Sequence, residues 1–298
     1  MSSFVIAAFY KFVELPDYQE RRFPLRDFCV ANEVKGSILL AAEGINGTIA
    51  GSRQGIDAVL DYLRQDDAFA SLTHKESHAD FMPFIRMKVR LKKEIVNLGR
   101  PDLTPNKQVG EYVPADEWNG LISDPDVILV DTRNDFEVEL GTFKGAINPK
   151  TVSFNQFPEF VAQHLDPNRH KKVAMFCTGG IRCEKATAYM LEQGFEEVFH
   201  LKDGILKYLE QVSPEESLWE GNCFVFDQRV TVNHHLQPTA VELCPRCKTI
   251  IEPQHRTSPK YEFGISCPNC ADGLTFDQIQ RAREKQRQQE LAAARDAS

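Results

Sequence analysis

Two sets of cysteines carry the residue types and spacings in this chain that point to chemistry. The first is Cys177, followed by Thr178, Gly179, Gly180, Ile181 and Arg182. An apolar run, Lys172-Val-Ala-Met-Phe176, precedes it, and a helix-forming run, Glu184-Lys-Ala-Thr-Ala-Tyr-Met-Leu-Glu192, follows. A loop leaving the C-terminal end of a parallel strand lies where open α/β sheets place their ligands, and it leads into the unsatisfied N–H groups of the next helix. Those groups and the helix dipole favour an anion, so they lower the pKa of a thiol at 177 and stabilise its thiolate. Arg182 adds positive charge. Gly179 and Gly180 let successive amides turn inward as a nest that can hold a substrate anion or the terminal sulfur of a persulfide. Cys183, in the first helical turn, is placed either to resolve a disulfide or persulfide on Cys177 or simply to pack. The rival reading is a buried structural cysteine before an ordinary Gly-Gly turn, and the order strand, glycines, arginine, helix argues against it.

The second set is Cys244-Pro-Arg-Cys247 and Cys267-Pro-Asn-Cys270, two C-x2-C pairs with 19 residues between them. That spacing lets four thiolates converge on one ion, and a closed four-thiolate shell has a structural role because it leaves no position open for catalysis. Zinc is the expected occupant, with an iron-sulfur cluster and a metal-free pair of turns as alternatives. Arg246, Lys248, His255, Arg256 and Lys260 surround the pairs, so phosphate contact and a purely structural staple both remain open.

The elements that must position these residues follow from pattern. A strand at 4–10, a helix at 17–33, strands at 36–42 and 45–50, a helix at 53–66 and a strand at 84–92 give the order βαββαβ of a ferredoxin-like sandwich, an α+β domain spanning 1–94. Gly36, Gly44, Gly47 and Gly51 suit turns and close backbone approach; a phosphate loop would need a Lys-Ser/Thr that is absent here. Residues 95–122, broken by prolines and glycines, read as a linker. From 123 to 217 short apolar runs alternate with helical patterns, which predicts an α/β domain with a parallel sheet. A C-terminal region at 218–298 holds the four cysteines and a polar terminal helix. At 86–93, basic and apolar residues alternate, so a strand places Arg86, Lys88, Arg90 and Lys92 on one face, either as a solvated edge or as a nucleic-acid contact.

A length of 298 residues implies two or three domains, and the composition is that of a soluble globular chain with no apolar run long enough for a membrane span. The N-terminus lacks the charged leader and cleavage pattern of a secretory signal, so a cytoplasmic protein is expected, in which eight cysteines do not form a disulfide framework. A net charge of -8 argues against non-specific polyanion binding by the whole surface but leaves room for a local basic patch.

Val-Asp131-Thr-Arg133-Asn-Asp-Phe-Glu137, Gly141-Thr-Phe-Lys-Gly145-Ala-Ile-Asn148-Pro, the cysteine loop and Leu201-Lys-Asp-Gly204-Ile together resemble the rhodanese fold. The six-residue loop is similar to that of sulfurtransferases rather than to the longer loop of the related cysteine phosphatases. Glu43-Gly-Ile-Asn-Gly-Thr48, Pro83-Phe-Ile-Arg86-Met-Lys88-Val-Arg90-Leu-Lys92-Lys-Glu94-Ile-Val, Cys177 to Ala186 and Trp219-Glu-Gly-Asn-Cys223-Phe-Val-Phe-Asp227-Gln-Arg229-Val extend the likeness over nearly the whole chain. In these segments the chain resembles the bacterial oxygen-dependent tRNA uridine-34 hydroxylases, whose N-terminal domain is ferredoxin-like or acylphosphatase-like.

The resemblance implies an oxidoreductase that installs a hydroxyl on C5 of the wobble uridine, with molecular oxygen as co-substrate and Cys177 as the catalytic cysteine. The partner it implies is the anticodon stem-loop of tRNA rather than DNA or a membrane, with Arg86, Lys88, Arg90 and Lys92 as RNA contacts. No flavin or haem motif is visible, so no organic cofactor is expected. The loop by itself fits a sulfurtransferase carrying a persulfide on Cys177 better than it fits oxygenation, and only the whole-chain resemblance favours the hydroxylase; a catalytically idle tRNA-binding scaffold is the third alternative.

Overall fold

The computed structural model describes residues 4–296. Its first compact unit runs to Pro238 and its second from Thr239. The first unit opens with β1 (Phe4–Phe12), α1 (Arg22–Ala31), β2 (Lys35–Ala41), β3 (Gly44–Gly51), α2 (Arg53–Arg64), β4 (His74–Ala79) and β5 (Met87–Leu91). These strands form one sheet in the order β4-β1-β3-β2-β5. β1 and β3 lie centrally because Val5, Ala7, Phe9, Ile45 and Ile49 face a core shared with Leu25 and Cys29 of α1 and Ile56, Val59, Leu60 and Leu63 of α2. Gly44 closes the β2–β3 hairpin at φ 136°, where a Cβ would stand 2.0 Å from the Lys11 carbonyl oxygen. Glycine is therefore required there, and it leaves Glu43 at the tip of the hairpin.

The sandwich differs from the expected βαββαβ by one strand. β4 completes the ferredoxin-like set beside β1, and the basic strand, β5, is a fifth that pairs parallel with β2 on the far edge. β4 escaped the sequence pattern because it is a mostly polar edge strand, His-Lys-Glu-Ser-His-Ala, of which only Ala79 is buried.

The supposed linker also carries structure. β6 (Glu111–Val113) and α3 (Ala115–Ile122) belong to the second layer, which continues through β7 (Val127–Asp131), α4 (Asp135–Val138), β8 (Gly141–Phe143), α5 (Phe157–His164), β9 (Lys172–Phe176), α6 (Ile181–Glu192), β10 (Glu197–Leu201) and α7 (Gly204–Gln211). Its parallel sheet has the order β6-β10-β9-β7, with β9 in the interior. Both faces of β9 are covered. Val173 and Met175 enter one core with Val130, Phe157 and Met190, and Ala174 and Phe176 enter another with Trp118, Tyr208 and Trp219. In the latter core the Phe143 ring meets Trp118, Phe176, Tyr208 and Trp219 edge-on. β11 (Trp219–Gly221) pairs with β8, and β12 (Cys223–Phe224) with β13 (Thr231–Val232), so the chain after 218 continues into this unit up to Pro238.

The second unit has only a small core around Cys244, Ile251 and Cys267, with α8 (Pro253–Arg256) and the polar α9 (Phe276–Asp296). No helix among the described residues is long and apolar enough to cross a membrane.

Candidate active site

Cys177 follows β9 directly and continues the side-chain parity of Val173 and Met175, which turns its sulfur inward at 1 % exposure. The loop then reverses at Gly180, φ 94°, and enters α6. The Gly180 amide donates to Cys177 Sγ at 3.1 Å, and the amides of Cys183 and Arg182 point to the same atom. The loop's carbonyls are drawn the other way. Those of Cys177 and Thr178 accept from the Ile205 and Leu206 amides at 3.0 and 3.2 Å, at the start of α7. This close docking requires Gly204, φ 75°, where a Cβ would lie 2.5 Å from the Cys177 oxygen and 2.7 Å from the Gly180 nitrogen.

Burial pushes the Cys177 thiol up, but a hydrogen bond from Cys183, the charge of Arg182 and the amides outweigh it and hold the thiol below its ordinary range. Cys183 shifts the opposite way, raised by burial and by its neighbour, so the proton resides on Cys183 and the anion on Cys177. Thr132 braces this end of the strand, its hydroxyl donating to the Phe176 carbonyl at 2.9 Å and lying 3.7 Å from Cys183 Sγ.

Arg182 is not the lone cation that the sequence suggests. Glu137, fully buried at the start of α4, forms an ion pair with it at 2.9 Å and accepts a hydrogen bond from its other terminal nitrogen at 3.0 Å. The guanidinium also lies 5.6 Å from the centre of the exposed Phe226 ring.

The N-terminal sheet closes over the loop. Lys75 of β4 donates to the Gly179 carbonyl at 2.7 Å and pairs with Asp203 at 3.1 Å. Lys185, one turn along α6 and fully buried, joins Glu43 at 2.7 Å and Glu94 at 2.6 Å. Two of the chain's recognisable motifs, around Glu43 and around Glu94, thereby serve as a clasp on α6. Tyr10 of β1 donates to Glu184 at 3.0 Å and Tyr112 of β6 to its other oxygen at 2.7 Å.

Between the sheet and the loop lies a cleft of about 1030 Å³. Cys177, Thr178, Gly179 and Arg182 line one wall, and Lys88 and Arg90 of β5, with Arg86 and Lys92 at its two ends, also line it. Cys183 and Gly180 are not among its lining residues. The alternation read from sequence thus brings four cations to the same space as the thiolate. Sequence reasoning assigned no role to Glu137, Tyr10, Lys75, Glu184 or Lys185. The available signal was the pair Glu184-Lys185 inside a helix that is otherwise apolar on nearly all sides from Cys183 to Met190.

In the second unit the sulfurs of Cys244, Cys247, Cys267 and Cys270 all lie within 4.8 Å of one another. Three of the separations are 3.4, 3.9 and 3.9 Å. A tetrahedron of thiolates about 2.3 Å from a central ion has edges of about 3.8 Å, so the donor set fits zinc.

Two family models agree with this arrangement. Residues 4–95 match the UPF0176 acylphosphatase like domain, and residues 114–211 match the Rhodanese-like domain. Among solved structures, the rhodanese-like domain of an Anabaena protein aligns over 38 % of this chain and 80 % of its own at 18 % identity, with a TM-score of 0.31. An acylphosphatase from Coxiella burnetii aligns over 30 % of this chain and 94 % of its own at 13 % identity, with a TM-score of 0.24. The tRNA uridine(34) hydroxylase of Teredinibacter turnerae is 56 % identical over 98 % of this chain and 91 % of its own length. With the cysteine loop, the clasp and both domain matches in place, the chain belongs to the tRNA uridine(34) hydroxylase family.

Proposed function

We propose that this chain hydroxylates C5 of the wobble uridine of tRNA, with molecular oxygen as co-substrate and Cys177 as nucleophile. The observation that carries this reading is the placement of an amide-stabilised thiolate in a cleft that also holds the basic face of β5. A cytoplasmic enzyme engaging the anticodon stem-loop fits these features. Arg86, Lys88, Arg90 and Lys92 would neutralise backbone phosphates, while the wobble base, turned out of its stack, reaches the thiolate.

Addition of Sγ to C6 interrupts the conjugation of the ring and raises electron density at C5, which divides a difficult reaction into easier steps. Amides already fixed toward the sulfur cost no reorganisation when charge moves. Thr178, Gly179 and Gly180 shape this nest, and Arg182 holds positive charge beside it. Cys183 keeps a proton next to Cys177 and remains the candidate resolving thiol. In the second unit Cys244, Cys247, Cys267 and Cys270 would hold a structural zinc, which supplies folding energy rather than catalysis.

Mass spectrometry of tRNA from cells carrying Cys177→Ser tests the proposal. Loss of wobble 5-hydroxyuridine is expected, and retention at wild-type levels would remove Cys177 from the chemistry. The same nest also fits the outer sulfur of a persulfide. Rapid turnover of thiosulfate with cyanide would therefore favour sulfur transfer instead.

A further inference from the structure

Glu184 is a buried carboxylate that the reading above does not use, and it is held at both oxygens by tyrosines from different layers. Tyr112, on the outer strand β6, is 45 % exposed and is not part of the cleft wall. Tyr10, on β1, does line the cleft. Its hydroxyl lies 3.0 Å from where a Cβ on Gly180 would stand, and Gly180 is the residue whose amide donates to Cys177 Sγ. The Tyr10 ring is fixed by Lys75, whose ammonium sits 5.4 Å from the ring centre while bonded to the Gly179 carbonyl. Two hydrogen bonds therefore connect the half-exposed Tyr112 of β6, through Glu184, to Tyr10 beside the cysteine loop.

We infer that Tyr112, Glu184 and Tyr10 form a proton path from the outer surface to the cleft, and that Tyr10 protonates the oxygen of the enolate formed when Cys177 adds to the uracil ring. This rests on the uridine-hydroxylase reading. As Sγ bonds to C6, the C5=C6 electron pair shifts through C4 onto the carbonyl oxygen. With Glu184 entering the step as the neutral acid, Tyr10 gives its proton to that oxygen as it takes one from Glu184, and Glu184 recovers one from water through Tyr112. No electrons are gained or lost in this step, and the resulting enol keeps C5 electron-rich. When Sγ departs, the proton returns by the same route.

Two properties of the path suit this use. Burial raises the Glu184 carboxyl, which brings a protonated state within reach. Burial, followed by the charge of Glu184, holds the Tyr10 hydroxyl well above its usual range, so it parts with its proton only as it receives another, which is what a protonated Glu184 behind it provides.

The same hydrogen bonds would be seen if Tyr10 merely tied the sheet to α6, so the test separates relay from tie. In the full-length protein, Tyr10→Phe and Glu184→Gln keep the shape and remove the proton path. General acid catalysis is worth about 100-fold, so kcat for tRNA hydroxylation is expected to fall by about that factor in each variant, with KM changed by less than about twofold. In Tyr10→Phe the pH midpoint for alkylation of Cys177 by iodoacetamide, followed by peptide mass spectrometry, is expected to stay in place, because the amides, Arg182 and the charge of Glu184 are untouched. Unchanged kcat in Tyr10→Phe overturns the relay. A kcat loss that tracks a moved alkylation midpoint also overturns it, leaving a tie that positions the loop. If wild-type protein itself makes no 5-hydroxyuridine, the hydroxylase reading falls and the relay falls with it. If wild type and Tyr10→Phe hydroxylate equally, only the relay falls.

Discussion

At Cys177 one sulfur faces backbone amides and a guanidinium across a loop of six residues, whereas at 244–270 four sulfurs face one another within 4.8 Å. The two regions use the same side chain and differ in what balances its negative charge. In the first, fixed dipoles and Arg182 do so, and the residue, though buried, lines the wall of a cleft. In the second, four thiolates cannot share a site of that size without a cation between them, and a shell of four leaves nothing open. Position in the fold follows from this. The reactive sulfur sits on a large, independently packed α/β core, whereas the four-sulfur cluster stands in for a core in a unit that has little other apolar packing.

Metal removal is the most forceful way to break the comparison. A strong chelator is expected to strip about one equivalent of zinc and to cost 239–291 on the order of 10 kcal/mol, seen as amide exchange approaching unfolded rates there, with Cys177 alkylation unaffected. If exchange in that segment ignores the chelator, the four sulfurs are not a substitute core.

Lys185→Met is the next largest. It leaves Glu43 and Glu94 facing an apolar group, and removal of one partner from a buried ionic cluster costs about 3–5 kcal/mol. Thermal or urea unfolding of the first unit would show this, and a loss below about 1 kcal/mol would mean that the clasp is dispensable.

Arg182→Met sharpens the account of Cys177. The wild-type thiol pKa is lowered, so its alkylation should rise with pH through a midpoint well below the roughly 8.5 of a free thiol. Deleting the cation should move that midpoint up by about one pH unit. A midpoint that stays put would assign the shift to the amides and Cys183 alone.

Arg90→Gln is expected to have the smallest effect. Each phosphate that a protein cation neutralises steepens the fall of log K with log salt by about 0.7–0.9. Binding of tRNA titrated at several salt concentrations should therefore show a slope shallower by that amount, with thiol reactivity unchanged. An identical slope would take Arg90 off the RNA path.

Both cysteine clusters were legible in the sequence because each is local. The loop spans 177–182, and in each knuckle two residues separate the paired cysteines. The paired β2–β3 hairpin and the α/β alternation were legible for the same reason, since apolar periodicity reports a buried face. What stayed hidden was either polar or distant. β4 exposes most of its side chains, and β6, only three residues long, sits among prolines and glycines. Tyr10 meets Glu184 across 174 positions, and Lys185 meets Glu94 across 91. No spacing rule spans such separations. The Asp131–Arg133 pair, fully buried with Arg133 over Trp219, was recognisable as a motif, but its role in bracing β7 against β8 through the Gly141 carbonyl needed coordinates.

The pairing of Arg182 with Glu137 has a consequence for selectivity. The Arg182 guanidinium, the Glu137 carboxylate and the Cys177 thiolate together carry an excess of negative charge. A phosphate monoester, arriving as a dianion, would meet repulsion from these three groups taken together, whereas an uncharged heterocycle brings no such conflict. If the chain acts as proposed, these charges would sort visitors by valence, with phosphates drawn to the arginines and lysines in and beside β5 and the sulfur left to a neutral ring.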